Sequence, residues 1–434
     1  PVKVLDPCCG TGNFLLQLPD VLPFDSIYGN DIDAASVKIT RLNMALKYNV
    51  PVAAIYEHIT GQDYLTDYAE KDFQYIIGNP PWGYDFSEEE QSHLRTIYKS
   101  ATGKNIESYD VFIEQALNHL TDNGHLAYVL PEAILNVKAH TNIRKTILEN
   151  CSIKNLVFLG NAFDGVQCPC IILDLQCTRS PLSTVGMNVN TGTDSFTINI
   201  ERTVSAEYFS FTTSDAEYNV MCKIRSMPNS SYLLDNADFA LGIVTGNNKE
   251  YISDIKNDNN EMILKGADIC KYHITRTNNY IVFKPENFQQ AAPTEMYRSP
   301  EKLLYRFISN QLVFAYDDKQ TLSLNSCNIV IPRLPEIKIK YVLAILNSRI
   351  AQFIYKKEFN SVKVLRSHIE NIPIPTADAS TQAEIIALTD KLISGLQSDE
   401  AEKVYDELDL LVSKAFNLDS NEIEIINKAV EGDN

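Results

Sequence analysis

The residues best equipped for chemistry stand together at Asn79, Pro80, Pro81 and Trp82, directly after the apolar run 75–78, which reads as a buried strand. An amide oxygen followed by a peptide carbonyl makes a pair of acceptors for the two hydrogens of a planar amino group. Such a nitrogen, the exocyclic amine of adenine for instance, is a poor nucleophile because its lone pair is delocalised into the ring. Asn79 can supply one acceptor from its side chain and Pro80 the second from its backbone. Two successive prolines fix φ, so that carbonyl has little freedom. Trp82, the single tryptophan of the chain, offers a flat face on which a base can stack, an interaction worth roughly 1–3 kcal/mol. In isolation the tetrad is equally a strand-ending turn whose indole plugs a core, so the decision rests on what precedes it.

Upstream, a strand-type run at 2–5 leads into Asp6, Pro7, Cys8, Cys9, Gly10, Thr11, Gly12, Asn13 and Phe14. A Gly-x-Gly pair between a strand and a helical pattern lets the backbone approach a ligand at the carboxyl edge of a parallel sheet. The third glycine of a dinucleotide fingerprint is missing, which disfavours a pyrophosphate and favours a ligand without phosphates. Further on, Ile27 and Tyr28 run into Gly29, Asn30, Asp31, Ile32 and Asp33. An acid at the end of a second strand is where α/β nucleoside sites hold ribose hydroxyls, a role that falls to Asp31. A third element ends at Gln62, Asp63 and Tyr64, where the Asp63 carboxylate could accept from an adenine amino group; taken alone it reads as an ordinary loop aspartate.

In that order, Asp-Pro-Cys-Cys-Gly-Thr-Gly-Asn-Phe, Gly-Asn-Asp-Ile-Asp, Gln-Asp-Tyr and Asn-Pro-Pro-Trp resemble the gamma-class N6-adenine DNA methyltransferases, which include the TaqI-like enzymes. The resemblance implies an α/β fold: a Rossmann-like class I methyltransferase domain with a mixed sheet at 1–215, an α+β target-recognition domain at 216–375, and a C-terminal helical segment at 376–434. It implies S-adenosylmethionine as methyl donor, bound by the loop of Asp6, Pro7, Gly10 and Gly12, with Asp6 and Gly10 beside its methionine part, Asp31 on the ribose and Asp63 on the adenine ring. Asn79 and Pro80 become the acceptors for the target amino group and Trp82 the stacking platform. Phe163 falls where the family often places a second aromatic against the flipped base; by itself it reads as a loop phenylalanine returning to the core. The chain departs from the family twice. Members usually carry a further segment before the Gly-x-Gly strand, so an N-terminally incomplete methyltransferase domain is expected. Trp also stands where Tyr or Phe is commoner, which keeps stacking and enlarges the face.

The elements needed to position these residues follow in register. Apolar spacing predicts a helix over 109–120, a turn at 122–124, a strand over 126–130, a helix over 143–148, and strands over 156–159 and 170–175. The chain, 434 residues with 44% hydrophobic residues, is long enough for two or three domains. No apolar stretch approaches membrane-spanning length. Nine cysteines without a Cys-x-x-Cys pair favour reduced thiols and a prokaryotic cytoplasm. Cys168 and Cys170 read as core thiols, and the reaction requires no metal.

A net charge of -18 argues at first against nucleic acid, whose affinity comes largely from neutralised phosphates. Its distribution reverses that reading. Residues 1–220 hold 14 basic against 27 acidic side chains and residues 376–434 hold 4 against 14, whereas residues 221–375 hold 20 against 15. The basic middle block is where a DNA-reading domain is needed, and its phrases resemble the target-recognition domain of type II and type IIG adenine methyltransferases. Lys265, Lys271, Arg276, Arg306, Lys356, Lys357, Lys363 and Arg366 are its candidate DNA contacts, of which fewer than about half are expected to reach the duplex. Residues 376–434 read as an acidic helical hairpin that braces this domain or docks a partner, away from DNA. Glu336-Ile337-Lys338 has nuclease-like spacing but no Pro-Asp partner before it, so it reads as a surface coincidence.

The sequence thus points to a sequence-specific DNA adenine methyltransferase of a restriction-modification system, acting on double-stranded DNA and associated with a restriction nuclease or a specificity partner. Two other readings stand behind it. Protein glutamine methyltransferases share an Asn-Pro-Pro-aromatic site but lack a long basic C-terminal domain. A catalytically silent DNA-binding specificity subunit would keep the basic block without transferring methyl groups.

Overall fold

The computed structural model describes residues 2–163, 165, 168–275, 277–359 and 361–431. The chain divides into two compact units, Pro1–Asp215 and Ala216–Asn434. The first is built on nine strands: β1 (Val4–Asp6), β2 (Ile27–Asn30), β3 (Ile59–Thr60), β4 (Phe73–Gly78), β5 (Leu120–Pro131), β6 (Cys151–Gly160), β7 (Cys170–Cys177), β8 (Met187–Asn190) and β9 (Ser195–Ile198). Their spatial order is β3-β2-β1-β4-β5-β7-β6-β8-β9. The first five pair in parallel, and β7 runs antiparallel to both β5 and β6. This is the mixed sheet expected of a Rossmann-like class I methyltransferase domain.

Parallel strands buried on both faces read as near-continuous apolar runs, which is why β1, β2 and β4 were visible in the sequence. Leu5, Phe73 and Ile76 enter a large core with Leu126, Tyr128, Leu173 and helix Ser108–His119. Ile27 and Ile59 enter a smaller one with Val37 and Met44 of helix Ala34–Tyr48. That helix begins at Asp33, whose carboxylate accepts from the amides of Ala35 and Ser36 at 3.4 and 2.8 Å, the usual work of an N-cap aspartate. It stops at Asn49, which is in the left-handed region at φ 50°. The turn expected at 122–124 lies inside β5, where Asn123 takes a φ of 63° and pairing with β4 resumes at His125.

Among the described residues, the second unit holds two four-stranded sheets besides a two-stranded pairing of Ser230–Ser231 with Ile374–Pro375. Strands Ala237–Ala240, Cys327–Pro332, Lys302–Arg306 and Phe314–Asp317 form one, antiparallel throughout. The other orders Ile252–Ser253, Tyr280–Ile281, Glu261–Leu264 and Leu322–Ser323. The C-terminal segment forms three helices rather than a hairpin: Ala379–Ile393, Ser398–Ala415 and Ser420–Glu431. Their apolar stripes, Ile385, Leu388, Leu408, Val412 and Ile426, share one core with Phe314, Val330 and Leu343 of the basic block. No helix among the described residues is long and apolar enough to cross a membrane.

Candidate active site

Strand order reverses between β1 and β4, which lie side by side in parallel with Val4 opposite Tyr75 and Leu5 opposite Ile76. In open α/β sheets ligands bind outside the carboxyl ends of the strands at such a switch point. Both chemistry-bearing loops start there. Asp6 ends β1, Gly78 ends β4, and the two touch: a Cβ on residue 78 would stand 2.7 Å from Asp6 Oδ1, so a side chain is sterically excluded there.

The first loop is held by side chains from the end of β2 and from the helix that follows it. Asp31 accepts from the Gly10 amide at 2.7 Å through one carboxylate oxygen and from the Asp33 amide at 2.9 Å through the other. Thr40 donates to the Gly10 carbonyl at 2.6 Å. Gly12 has a φ of 89°, and a Cβ on it would come within 3.0 Å of Thr40, so both backbone and space require glycine. The buried Asn30 joins three loops: its amide group donates to the carbonyls of Pro7 and Gln62 at 3.3 and 3.0 Å, and its oxygen accepts from the Thr60 hydroxyl and the Gln62 amide at 2.9 and 3.0 Å. Asp63, half-buried beyond, accepts from the Leu65 amide at 2.9 Å.

Asp6 is fully buried, and its Oδ1 accepts from the Cys8 amide at 3.2 Å. Its Oδ2 has no partner among the described residues. Burial pushes the Asp6 pKa up to about 7, helped by the nearby Asp31 carboxylate and opposed by the Cys8 amide. A buried carboxylate oxygen without a donor is costly unless something supplies one. Around Gly10, at φ 53°, the place a Cβ would take is open for 4 Å. An unsatisfied carboxylate, two further acids and an approachable glycine backbone suit a cationic nucleoside with free hydroxyls and repel a phosphate.

The second loop presents three successive carbonyls. That of Asn79 accepts from the Cys8 thiol at 3.3 Å, and that of Pro81 from the Ser108 hydroxyl at 2.5 Å. The Pro80 carbonyl between them receives no donor among the described residues. The side-chain oxygen of Asn79 is buried and likewise without a partner, as is Trp82 Nε1. Trp82 is half-buried against the core, and Phe163, 40% exposed, meets it edge to face with ring centroids 5.5 Å apart and planes at 76°. Tyr128, opposite Gly78 on β5, and Tyr64, next to Asp63, add two buried hydroxyls without partners.

The structure therefore brings Asp6, Pro7, Gly10, Gly12, Asp31, Asn79 and Pro80 to one sheet edge and sets Phe163 against Trp82. Sequence reasoning missed Asn30, Thr40 and Ser108. A serine near a helix start was the one available signal, since Ser108 opens helix Ser108–His119.

The candidate DNA contacts divide. Lys363 is exposed, and so is Arg366, which pairs with Glu370 at 2.6 Å and lies over the Phe239 ring. Lys265 is half-buried on Asn279 at 2.7 Å, Arg306 donates to the Ile269 carbonyl at 2.7 Å, and Lys357 pairs with Glu217 at 2.8 Å. Lys356 is half-buried, and Arg276 lies outside the described residues. Lys271 has its ammonium 3.3 Å from the Tyr405 hydroxyl and over that ring. Burial lowers its pKa to about 8 despite Asp409. Its ammonium thus packs against helix Ser398–Ala415.

Residues 1–197 match the family model of the N-6 DNA methylases, and residues 261–374 match that of the TaqI-like C-terminal specificity domain. Among curated proteins, the type II methyltransferase M.VspI of Vibrio sp. (strain 343) is 31% identical over 271 residues, covering 61% of this chain and 64% of that protein. The type II methyltransferase M.CvrRI of Paramecium bursaria Chlorella virus XZ-6E is 33% identical over 141 residues, 32% of this chain and 33% of that one. The chain thus spans 64% or less of the length of these relatives. Among solved structures, the type IIL restriction-modification enzyme MmeI in complex with DNA superposes with a TM-score of 0.60 at 12% identity, over 99% of this chain and 72% of that one, a likeness of fold. The two matched regions follow one another in the order the motifs required, an N-6 DNA methylase region at 1–197 and a TaqI-like specificity region at 261–374.

Proposed function

We propose that the protein transfers a methyl group from S-adenosylmethionine to the N6 amino group of an adenine in double-stranded DNA, within a restriction-modification system. The observation that carries this reading is the pair of acceptors left without donors at the switch point, Asn79 Oδ1 and the Pro80 carbonyl. When bound, the cofactor supplies an electrophilic methyl group. The chain's own residues hold both sides of the reaction. Asp6 offers its unpartnered oxygen to the cofactor's ammonium, Asp31 and Asp63 face its hydroxyls and base, and Gly10 and Gly12 let the backbone close on it. Asn79 and Pro80 accept the two amino hydrogens, which favours a pyramidal nitrogen and frees its lone pair for attack. Trp82 and Phe163 hold the base once it has left the helix, where stacking replaces what the duplex gave up. Positioning and oriented acceptors are then the main catalytic contributions.

Asn79→Ala tests the assignment. The rate of methyl transfer to duplex DNA is expected to fall by roughly 10²–10³ or more, the usual cost of removing one preorganised hydrogen-bonding group, with cofactor affinity by calorimetry nearly unchanged. Undiminished methylation by the variant would refute the role. Transfer of labelled methyl to a glutamine-bearing protein but not to adenine would replace the substrate.

A further inference from the structure

The Asn-Pro-Pro turn carries three carbonyls of the same chemistry, of which the reading above uses one. We propose that Cys8 and Ser108 are positioning residues that occupy the two outer carbonyls, so that the turn is fixed and the Pro80 carbonyl alone is offered to the target amino group. The inference rests on the proposed methyl transfer and concerns the same site.

The two donors come from opposite sides. Cys8 belongs to the loop after β1, and its thiol reaches the Asn79 carbonyl at 3.3 Å. Ser108 opens helix Ser108–His119 and reaches the Pro81 carbonyl at 2.5 Å. It also stands 3.5 Å from the Tyr84 amide, a long contact in which its oxygen accepts. Ser108 therefore spans residues 81 and 84 with Trp82 between them, so one hydroxyl fixes both the end of the turn and the base of the indole.

Both donors are built to persist. Ser108 is fully buried, and the helix behind it is anchored by a buried chain in which Asp110 meets His140 Nδ1 and His140 Nε2 meets the Tyr109 hydroxyl, each at 2.8 Å. Burial and the neighbouring Asp6 and Asp31 carboxylates push the Cys8 pKa well up, so the group stays a thiol donor and does not become a thiolate. Through Cys8 the acceptor turn is also tied to the residue that gives its amide to Asp6, so the cofactor loop and the turn move as one piece. A displacement of about 1 Å at a reacting centre can cost on the order of 10²-fold in rate. Donors fixed on carbonyls that touch no substrate hold the turn against such a displacement.

The test uses the full-length protein and a duplex containing its recognition site, mapped by sequencing methylated adenines. Single-turnover transfer rates are measured for Cys8→Ala, Cys8→Ser, Ser108→Ala and Ser108→Thr, with cofactor affinity by calorimetry and melting temperature alongside. Each alanine variant is expected to lose about 10-fold or more in rate per folded molecule while cofactor affinity stays within about 3-fold. Serine at 8 and threonine at 108 restore a donor and most of the rate. Rates equal to wild type overturn the proposal, and so does a rate loss matched by an equal loss of cofactor binding. If Ser108→Ala does not fold, the Cys8 pair decides by the same criteria. Wild-type protein that transfers no methyl to adenine removes the functional reading and this inference with it; active wild type with indifferent variants removes this inference alone.

Discussion

Buried polar groups are treated in opposite ways at the candidate site of the first unit and in the second unit. In the first, Asp6 Oδ2, Asn79 Oδ1, Trp82 Nε1 and the hydroxyls of Tyr64 and Tyr128 are buried without partners. In the second, the buried charges are paired: Lys302 on Asp317 at 2.5 Å, and Asp409 on the Arg349 amide at 2.8 Å and its guanidinium at 3.5 Å. Among the described residues of the second unit, the buried polar side-chain atoms left without a partner belong to Ser230, Ser323 and Asn427, none of them charged. An unpaired buried group costs stability until a ligand or an ordered water supplies its partner, whereas a paired one costs stability when a partner is removed. The first pattern marks a place that awaits chemistry; the second marks a scaffold.

The largest effect expected from this contrast lies in the scaffold. Lys302 is fully buried, donating to the Tyr297 carbonyl at 2.8 Å as well as to Asp317. Burial is the larger influence and pushes its pKa down, against the pull of Asp317. Lys302→Met leaves a buried carboxylate without its counter-charge and is expected to cost about 3–5 kcal/mol in urea unfolding. Lys302→Met with Asp317→Asn removes both charges and keeps an acceptor for the Thr321 amide while its NH2 can donate to the Thr321 hydroxyl, so most of the loss should return. A double variant as unstable as the single one would show that the pair does not act as a unit.

In the site the sign reverses. The folded pKa of Asp6, about 7, lies above its ordinary value of 3.8. The folded state thus holds the proton more tightly than the unfolded chain. Its contribution to stability is complete below about pH 4 and is lost as pH rises through 7. Asp6→Asn cannot lose what wild type loses. Relative to wild type it should gain roughly 2 kcal/mol of unfolding free energy between pH 5 and pH 8, while cofactor affinity falls. Parallel stability curves for the two proteins over that range would mean that the carboxylate is not strained by burial.

The same contrast explains what the sequence allowed one to read. Strands β1, β2 and β4 and their terminal motifs were legible because each is a short apolar run ending in small or acidic residues, and a parallel sheet places such ends along one edge. The outer hairpin β8–β9 was not read. Its inward Met187, Val189 and Ile198 alternate with Asn188 and Thr197, which continue a polar ladder through Asn155 to Asp174, so each four-residue strand carries only two apolar positions. Asn30 looked like a loop residue beside the more conspicuous Asp31, because its partners lie at Thr60 and Gln62 across the sheet. Ser108 carried the signal of a helix start but not its role, because its partner is a carbonyl 27 positions earlier. The third C-terminal helix, Ser420–Glu431, buries little beyond Ile426, and a stripe that sparse does not stand out before its neighbours are known.

Lysines show the limit most clearly, and they provide the smallest and most discriminating measurement. A lysine is almost never fully buried without a partner, so Lys271 and Lys363 looked alike as surface charges. The structure separates them: Lys363 is exposed, and Lys271 is turned against Tyr405, whose hydroxyl in turn donates to the Asn347 carbonyl at 2.9 Å. If DNA is the partner of this unit, a lysine that neutralises one phosphate contributes about 0.9 to the slope of log affinity against log salt. Lys363→Ala should therefore flatten that slope by about one unit, weakening binding similarly for all sequences. Lys271→Met should leave the slope unchanged, because its ammonium is committed to the scaffold, and should instead lower the urea midpoint. A flattened slope for Lys271→Met would return that residue to the DNA face. An unchanged slope for Lys363→Ala would place the duplex elsewhere on the unit.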